Sequence, residues 1–104
     1  MTAGKNQKWN GYYSHGGSKH PMAFDLFVVR KKLKLIKGHG RDDVGEFDIN
    51  GIVEDNEKDI KFIKYYLGAH FVTYEGKLEN GKKKITGKWT LEDGMSDSFE
   101  ITRA

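Results

Sequence analysis

The chain of 104 residues contains no cysteine and one proline, Pro21. Without thiols there is no disulfide framework, no thiolate nucleophile and no zinc–cysteine site, and the composition suits a reducing cytoplasm. Long hydrophobic runs are also missing. None approaches the roughly 20 residues of a membrane span. The opening stretch MTAGKNQK has no apolar segment of the kind a secretion signal needs. A strong charge excess is absent too: 18 basic against 15 acidic residues leave a net charge of +3. That is far from the footprint of a dedicated nucleic-acid binder. The basic clusters at 30–32 and 82–84 have few aromatics beside them on which bases could stack. Neither nucleic acid nor membrane is therefore an expected partner. No HExxH, GxSxG or similar frame appears, so no catalytic constellation, metal site or cofactor is expected.

Glycine and aromatic residues are plentiful, at 13 glycines and 12% aromatics. No stretch keeps a helical period. Short stretches of alternation recur instead, broken by turn chemistry. The alternation predicts strands at 8–14, 22–30, 33–40, 46–54, 59–66, 70–79, 84–91 and 98–103, after a flexible tail at 1–7. The links HGGSKH, RKK, RDDVG, DNEK, LGA, NGKK and EDGMSD are short and polar. They suit antiparallel neighbours and are too short for parallel crossovers. Asn80-Gly81 is the strongest hairpin signal. Eight successive strands form a meander, and closing it removes both edges. The expected fold is a single all-β domain over 8–104: an eight-stranded antiparallel up-and-down barrel with little or no helix.

The stretch GHGRDDVGEFDING, 38–51, resembles a ligand loop but fails each template. Asp43 stands where GxGxxG needs its last glycine, Glu46 follows where a P-loop needs lysine, and Phe47 stands where an EF-hand needs glycine. It reads as strand, turn, strand, with Asp and Gly supplying the turn.

Period two assigns Trp9, Tyr13, Met22, Phe24, Leu26, Val28, Phe62, Lys64, Tyr66, His70, Tyr74 and Trp89 to the interior, with Asp42 just past a strand end. An inward lysine is costly unless paired or wet. Asp42, His70, Tyr13, Tyr66 and Tyr74 are its candidate partners. One reading is a Lys–Asp pair; the other is a cationic anchor for a ligand. A lysine so desolvated also has the chemistry of a nucleophile, although the sequence names no general acid beside it. In a meander, His15, His20, His39 and His70 fall at one end with Asp42 and Asp43. A small polar or anionic ligand is thus expected in a His/Asp mouth, touching Lys64, Tyr66, His70, Tyr74, Asp42, Tyr13, Trp9 and Trp89. A filled core serving an interaction module is the alternative.

The opposite parity carries Phe27, Val29, Leu33, Leu35, Ile52, Ile63, Tyr65 and Phe71 on consecutive strands. Such an apolar patch marks an interface. The expectation is a homodimer through Phe27, Val29, Leu35, Ile52, Ile63, Tyr65 and Phe71, with Ile63 and Phe27 central.

The ordered motifs WxGxY (9–13), GxGxDxxGxFxIxG (38–51, with GHGRDDVGEFDING here), FxKxY (62–66), HFVTY (70–74) and GxW (87–89) resemble those of a family of small β modules that occur alone or attached to other domains. In architecture the chain is similar to avidin- and lipocalin-like barrels. The resemblance implies an up-and-down barrel and no particular activity. The chain is shorter than avidins, lacks their full polar biotin-binding set, and lacks the helix pair that caps fatty-acid-binding proteins.

Overall fold

Each alternating stretch pairs with its successor in sequence. In the computed structural model, residues 8–30, 32–56, 58–68, 70–79 and 83–103 are described. They form β1 (Trp9–His15), β2 (Ser18–Arg30), β3 (Leu35–Asp42), β4 (Glu46–Val53), β5 (Asp59–Tyr66), β6 (Phe71–Glu79), β7 (Lys84–Thr90) and β8 (Ser96–Arg103). Every neighbouring pair is antiparallel, and β8 returns to β1 from Phe99 opposite Tyr13 to Arg103 opposite Trp9. The result is one closed, eight-stranded up-and-down barrel, without helix among the described residues. The expected tail at 1–7 and the Asn80-Gly81 turn lie outside the described residues.

The first hairpin is tighter than the sequence suggests. Gly16 and Gly17 alone connect β1 to β2, with His15 opposite Ser18. Both have positive φ, +59° and +86°, as a two-residue hairpin loop requires. Ser18, Lys19 and His20 are therefore strand, and His20 lies directly opposite Tyr13.

One stretch departs from period two. In β2 the register passes from Phe24 opposite Gly40 to Leu26 opposite His39, so Asp25 is the extra residue of a β-bulge. Every residue beyond it changes face. Phe27 and Val29, expected on the outer wall, turn inward: Phe27 is fully buried and Val29 packs against the core. Leu26 and Val28, expected inside, take the outward side and are half-buried.

Rings fill the barrel's centre. Trp9 packs on Phe27 (centroids 5.1 Å apart), Phe27 on Phe62 (5.6 Å), Phe62 stacks on Tyr74 (4.8 Å, 9°), and Tyr74 meets Phe99 edge-on (4.7 Å). Ile36, Ile49, Ile60, Ile85 and Ile101 close the gaps and are almost wholly buried. At full burial each such side chain contributes about 1.5–3 kcal/mol. β6 and β7 touch backbone to backbone where Gly76 faces Gly87.

Candidate functional site at the barrel mouth

The β1–β2, β3–β4, β5–β6 and β7–β8 turns share one end of the barrel. There β3 ends on Asp42, and the turn that follows fixes the carboxylate. The Val44 N–H donates to Asp42 Oδ1 (2.8 Å), and the Asp42 N–H donates to the Gly45 carbonyl (3.1 Å). The other oxygen, Oδ2, points inward. It accepts from Lys64 Nζ at 2.7 Å and from the Tyr66 hydroxyl at 2.5 Å. The two charged side chains are 1% and 0% exposed. The stretch that resembles a ligand loop is thus a turn, and it delivers the partner of the buried lysine.

Four rings surround the ammonium. Lys64 Nζ lies 4.9 Å from the Tyr13 and Phe47 centroids, 4.8 Å from Tyr66 and 5.1 Å from Tyr74. Ring faces attract a cation most where it is desolvated. Met22 Sδ lies 3.6 Å from both Nζ and the Tyr74 hydroxyl, a weak acceptor for each. Of the three N–H donors on Lys64, one meets a carboxylate and one meets sulfur. No described residue gives the third a strong acceptor.

Asp43 turns outward from Asp42 and ties together β1 and β2. It accepts from the Tyr13 hydroxyl (2.5 Å) and bonds His20 Nδ1 (2.6 Å), while Tyr13 and His20 stack at 4.8 Å. The Tyr13 hydrogen bond, and after it the His20 bond, hold the Asp43 carboxyl below its ordinary range. Trp89 donates its indole N–H to the Ser14 carbonyl (2.8 Å), so β7 is pinned to β1 at the same rim.

Above this floor is a cavity of about 240 Å³, lined by Tyr13, His15, Val44, Lys64, Tyr66, His70, Val72, Tyr74, Trp89, Leu91 and Met95. Of the eight residues expected to meet a ligand, six line it. Asp42 lies beneath, bonded to Lys64. Trp9 does not reach it: β1 runs from the far end toward the mouth, and Trp9 begins that strand, packed on Phe27. Parity fixes which side a residue faces but not its height along the barrel. His39 also departs from the expected mouth, because its parity opposes that of Gly38 and Gly40. It stands on the outer wall beside Asp48 (2.8 Å) and Glu46 (3.4 Å). The Asp48 hydrogen bond raises the His39 imidazole above its ordinary value. Among the described residues no three His, Asp or Glu side chains converge as a metal site. Val44 and Met95, which sequence reasoning left out, supply apolar rim. The signal was there, as the one large apolar residue in RDDVG and in EDGMSD.

A larger depression, about 810 Å³, lies on the outside of β5, β6 and β7. Its wall carries ion-paired surface side chains, Lys61 with Glu75 (3.7 Å) and Lys77 with Asp59 (2.6 Å). It is a solvated trough over the Gly76–Gly87 contact, and the smaller, aromatic mouth is the better site.

The floor's protonation follows from its burial. Burial pulls the Lys64 ammonium below its ordinary value, with Asp42 opposing. Burial, with Asp42 adding, pushes the Tyr66 and Tyr74 phenols well above theirs. The two tyrosines keep protons in the fold that the unfolded chain releases near pH 10. Their stability is fully present below that pH and is lost as pH rises toward the folded values. Tyr13, raised by burial and by its hydrogen bond to Asp43, has the same sign, and Lys64 has the opposite one. On alkaline titration, Tyr66 and Tyr74 should show phenolate absorbance only as the strand circular dichroism disappears. Complete tyrosine ionisation with an intact spectrum would contradict this burial.

Fold and site together define a small closed β-barrel with an aromatic mouth over a buried ion pair. No protein-family model, curated protein or solved structure matches the chain. Among the described residues no helix is long and apolar enough to cross a membrane.

Proposed function

We propose that this protein is a non-enzymatic binding barrel that takes a small, flat, neutral molecule with an acceptor oxygen into its mouth. The observation that carries the reading is the cavity itself: aromatic walls over a buried ammonium with an unused donor. Asp42 offsets the charge of Lys64, so the floor favours a polar neutral group over a free anion. Flat walls from Tyr13, Tyr74 and Trp89 favour a ring. The cytoplasmic location expected from the cysteine-free composition, and kinship with small avidin-like modules expected from the motif order, belong to the same proposal.

Benzamide is a suitable probe, being planar, neutral and smaller than the cavity. The chain has two tryptophans. Trp9 Nε1 has no hydrogen-bond partner among the described residues, so Trp9→Phe loses no hydrogen bond and leaves Trp89 as the sole reporter. Its emission should change saturably with benzamide, at the millimolar affinity of about −4 kcal/mol typical of so small a ligand. A strictly linear response would contradict binding at the mouth.

A second reading rests on the outer wall. With Phe27 and Val29 turned inward, a stripe remains: Leu35 faces Ile52, Tyr65 faces Phe71, and Ile63 lies between. Leu35, Ile52 and Tyr65 are each at least 39% exposed. In this reading the stripe joins two copies, with Ile63 rather than Phe27 at the centre. Light scattering on a sizing column should give a dimer mass, and Ile63→Lys a monomer. A monomer for both would remove self-association.

A further inference from the structure

We infer that Lys64 is a site of reversible covalent capture, forming an imine with a small aromatic aldehyde admitted through the mouth. This rests on the mouth being a ligand site, and adds to it the chemical class of the ligand and the bond it forms.

Three observations converge on Lys64. It lines the cavity, and its Nζ lies beneath the rings that form the walls. Among the described residues it has one strong acceptor, Asp42, so a carbonyl oxygen entering the cavity would find a free N–H. A general acid is also present: Asp42, once it has taken the ammonium's proton, with its Oδ2 held beside Nζ by the Tyr66 hydroxyl. Burial, which favours the neutral amine, works in the same direction. The other titratable groups around the floor are Tyr13 on β1, Asp43 in the β3–β4 turn and Tyr74 on β6; Asp43 is engaged by Tyr13 and His20.

The step balances without any further reactant. A proton passes from the ammonium to Asp42 and frees the nitrogen lone pair. Nitrogen attacks the carbonyl carbon, the C–N bond forms, and the C=O π pair moves to oxygen, which takes the proton back from Asp42. The carbinolamine then loses water as nitrogen forms C=N. Oxygen leaves with two of the three ammonium protons, and the iminium keeps the third. The product is again a cation opposite the Asp42 carboxylate, so condensation never strands that buried charge. An aromatic aldehyde suits the walls, and its ring would stack where Tyr13, Tyr74 and Trp89 surround the opening.

The test is reductive trapping on the intact wild-type chain. The protein is incubated with limiting benzaldehyde and cyanoborohydride, digested, and the benzyl group mapped by mass spectrometry. Lys64 should label at least about tenfold faster than exposed lysines such as Lys61 or Lys88, despite being 1% exposed. Excess benzamide, which cannot condense, should suppress labelling at Lys64 and leave the exposed lysines unchanged. Label spread over exposed lysines with Lys64 unmodified overturns the covalent proposal. If benzamide still gives its saturable Trp89 response in that case, the mouth remains a non-covalent site. If that response is missing too, both readings fall.

Discussion

Asp42→Ala should lower stability by about 3–5 kcal/mol, the cost of leaving one member of a buried ion pair without its partner. The substitution removes the acceptor of Lys64 Nζ, of the Tyr66 hydroxyl and of the Val44 N–H at once. The ammonium is 1% exposed, so the little water that reaches it cannot stand in for the lost carboxylate. Urea unfolding should show a lower midpoint at an unchanged slope, as expected when stability and not compactness changes. Lys64→Met on the Asp42→Ala background should recover part of the loss, because no charge then remains at the floor. A single mutant within about 1 kcal/mol of wild type would show that the pair is not buried.

Gly87→Ala should cost about 3 kcal/mol, and Gly87→Val should prevent the barrel from closing. A Cβ at Gly87 would lie 1.9 Å from the Glu75 carbonyl oxygen and 2.5 Å from Gly76 Cα, both backbone atoms of β6. Neither can rotate away, so β6 and β7 must separate along a ladder that has no edge at which to give. Ordinarily Gly→Ala gains roughly 0.4–1 kcal/mol by restricting the unfolded chain where the native conformation suits alanine. Here that gain is outweighed. Gly94→Ala is the control: its φ is +94° with open space around it, so only conformational strain of about 1–2 kcal/mol applies. Equal midpoints for the Gly87 and Gly94 variants would refute the close approach of the strands.

Much of the fold was legible because one face of every strand is apolar and the turns carry their own chemistry. Phe62, Lys64 and Tyr66 share a face, and the lysine among rings marked the floor of the site directly. The bulge at Asp25 was not legible. Phe24-Asp25-Leu26-Phe27-Val28-Val29 has neither glycine nor proline to mark an extra residue, and both faces beyond Asp25 are apolar. Either parity therefore looked acceptable, and only the pairing with β3 decides. Trp9 shows a second limit. Its inward side follows from alternation, while its distance from the mouth depends on the direction of β1 in the closed barrel. The role of Asp42 shows a third. A turn aspartate usually bonds its own backbone, and here one oxygen does so while the other reaches β5, a contact 22 residues away in sequence.

A small molecule should bind at the aromatic mouth and nowhere else on the barrel. Benzamide titrated into uniformly ¹⁵N-labelled protein should shift the backbone amides of His15, Val44, Tyr66, Val72 and Met95 along a single saturable curve. Amides at the far end, such as those of Ile60 and Ile85, should stay in place. Shifts confined to the outer trough around Lys61, Lys77 and Lys88, or no saturable shift anywhere, would contradict this.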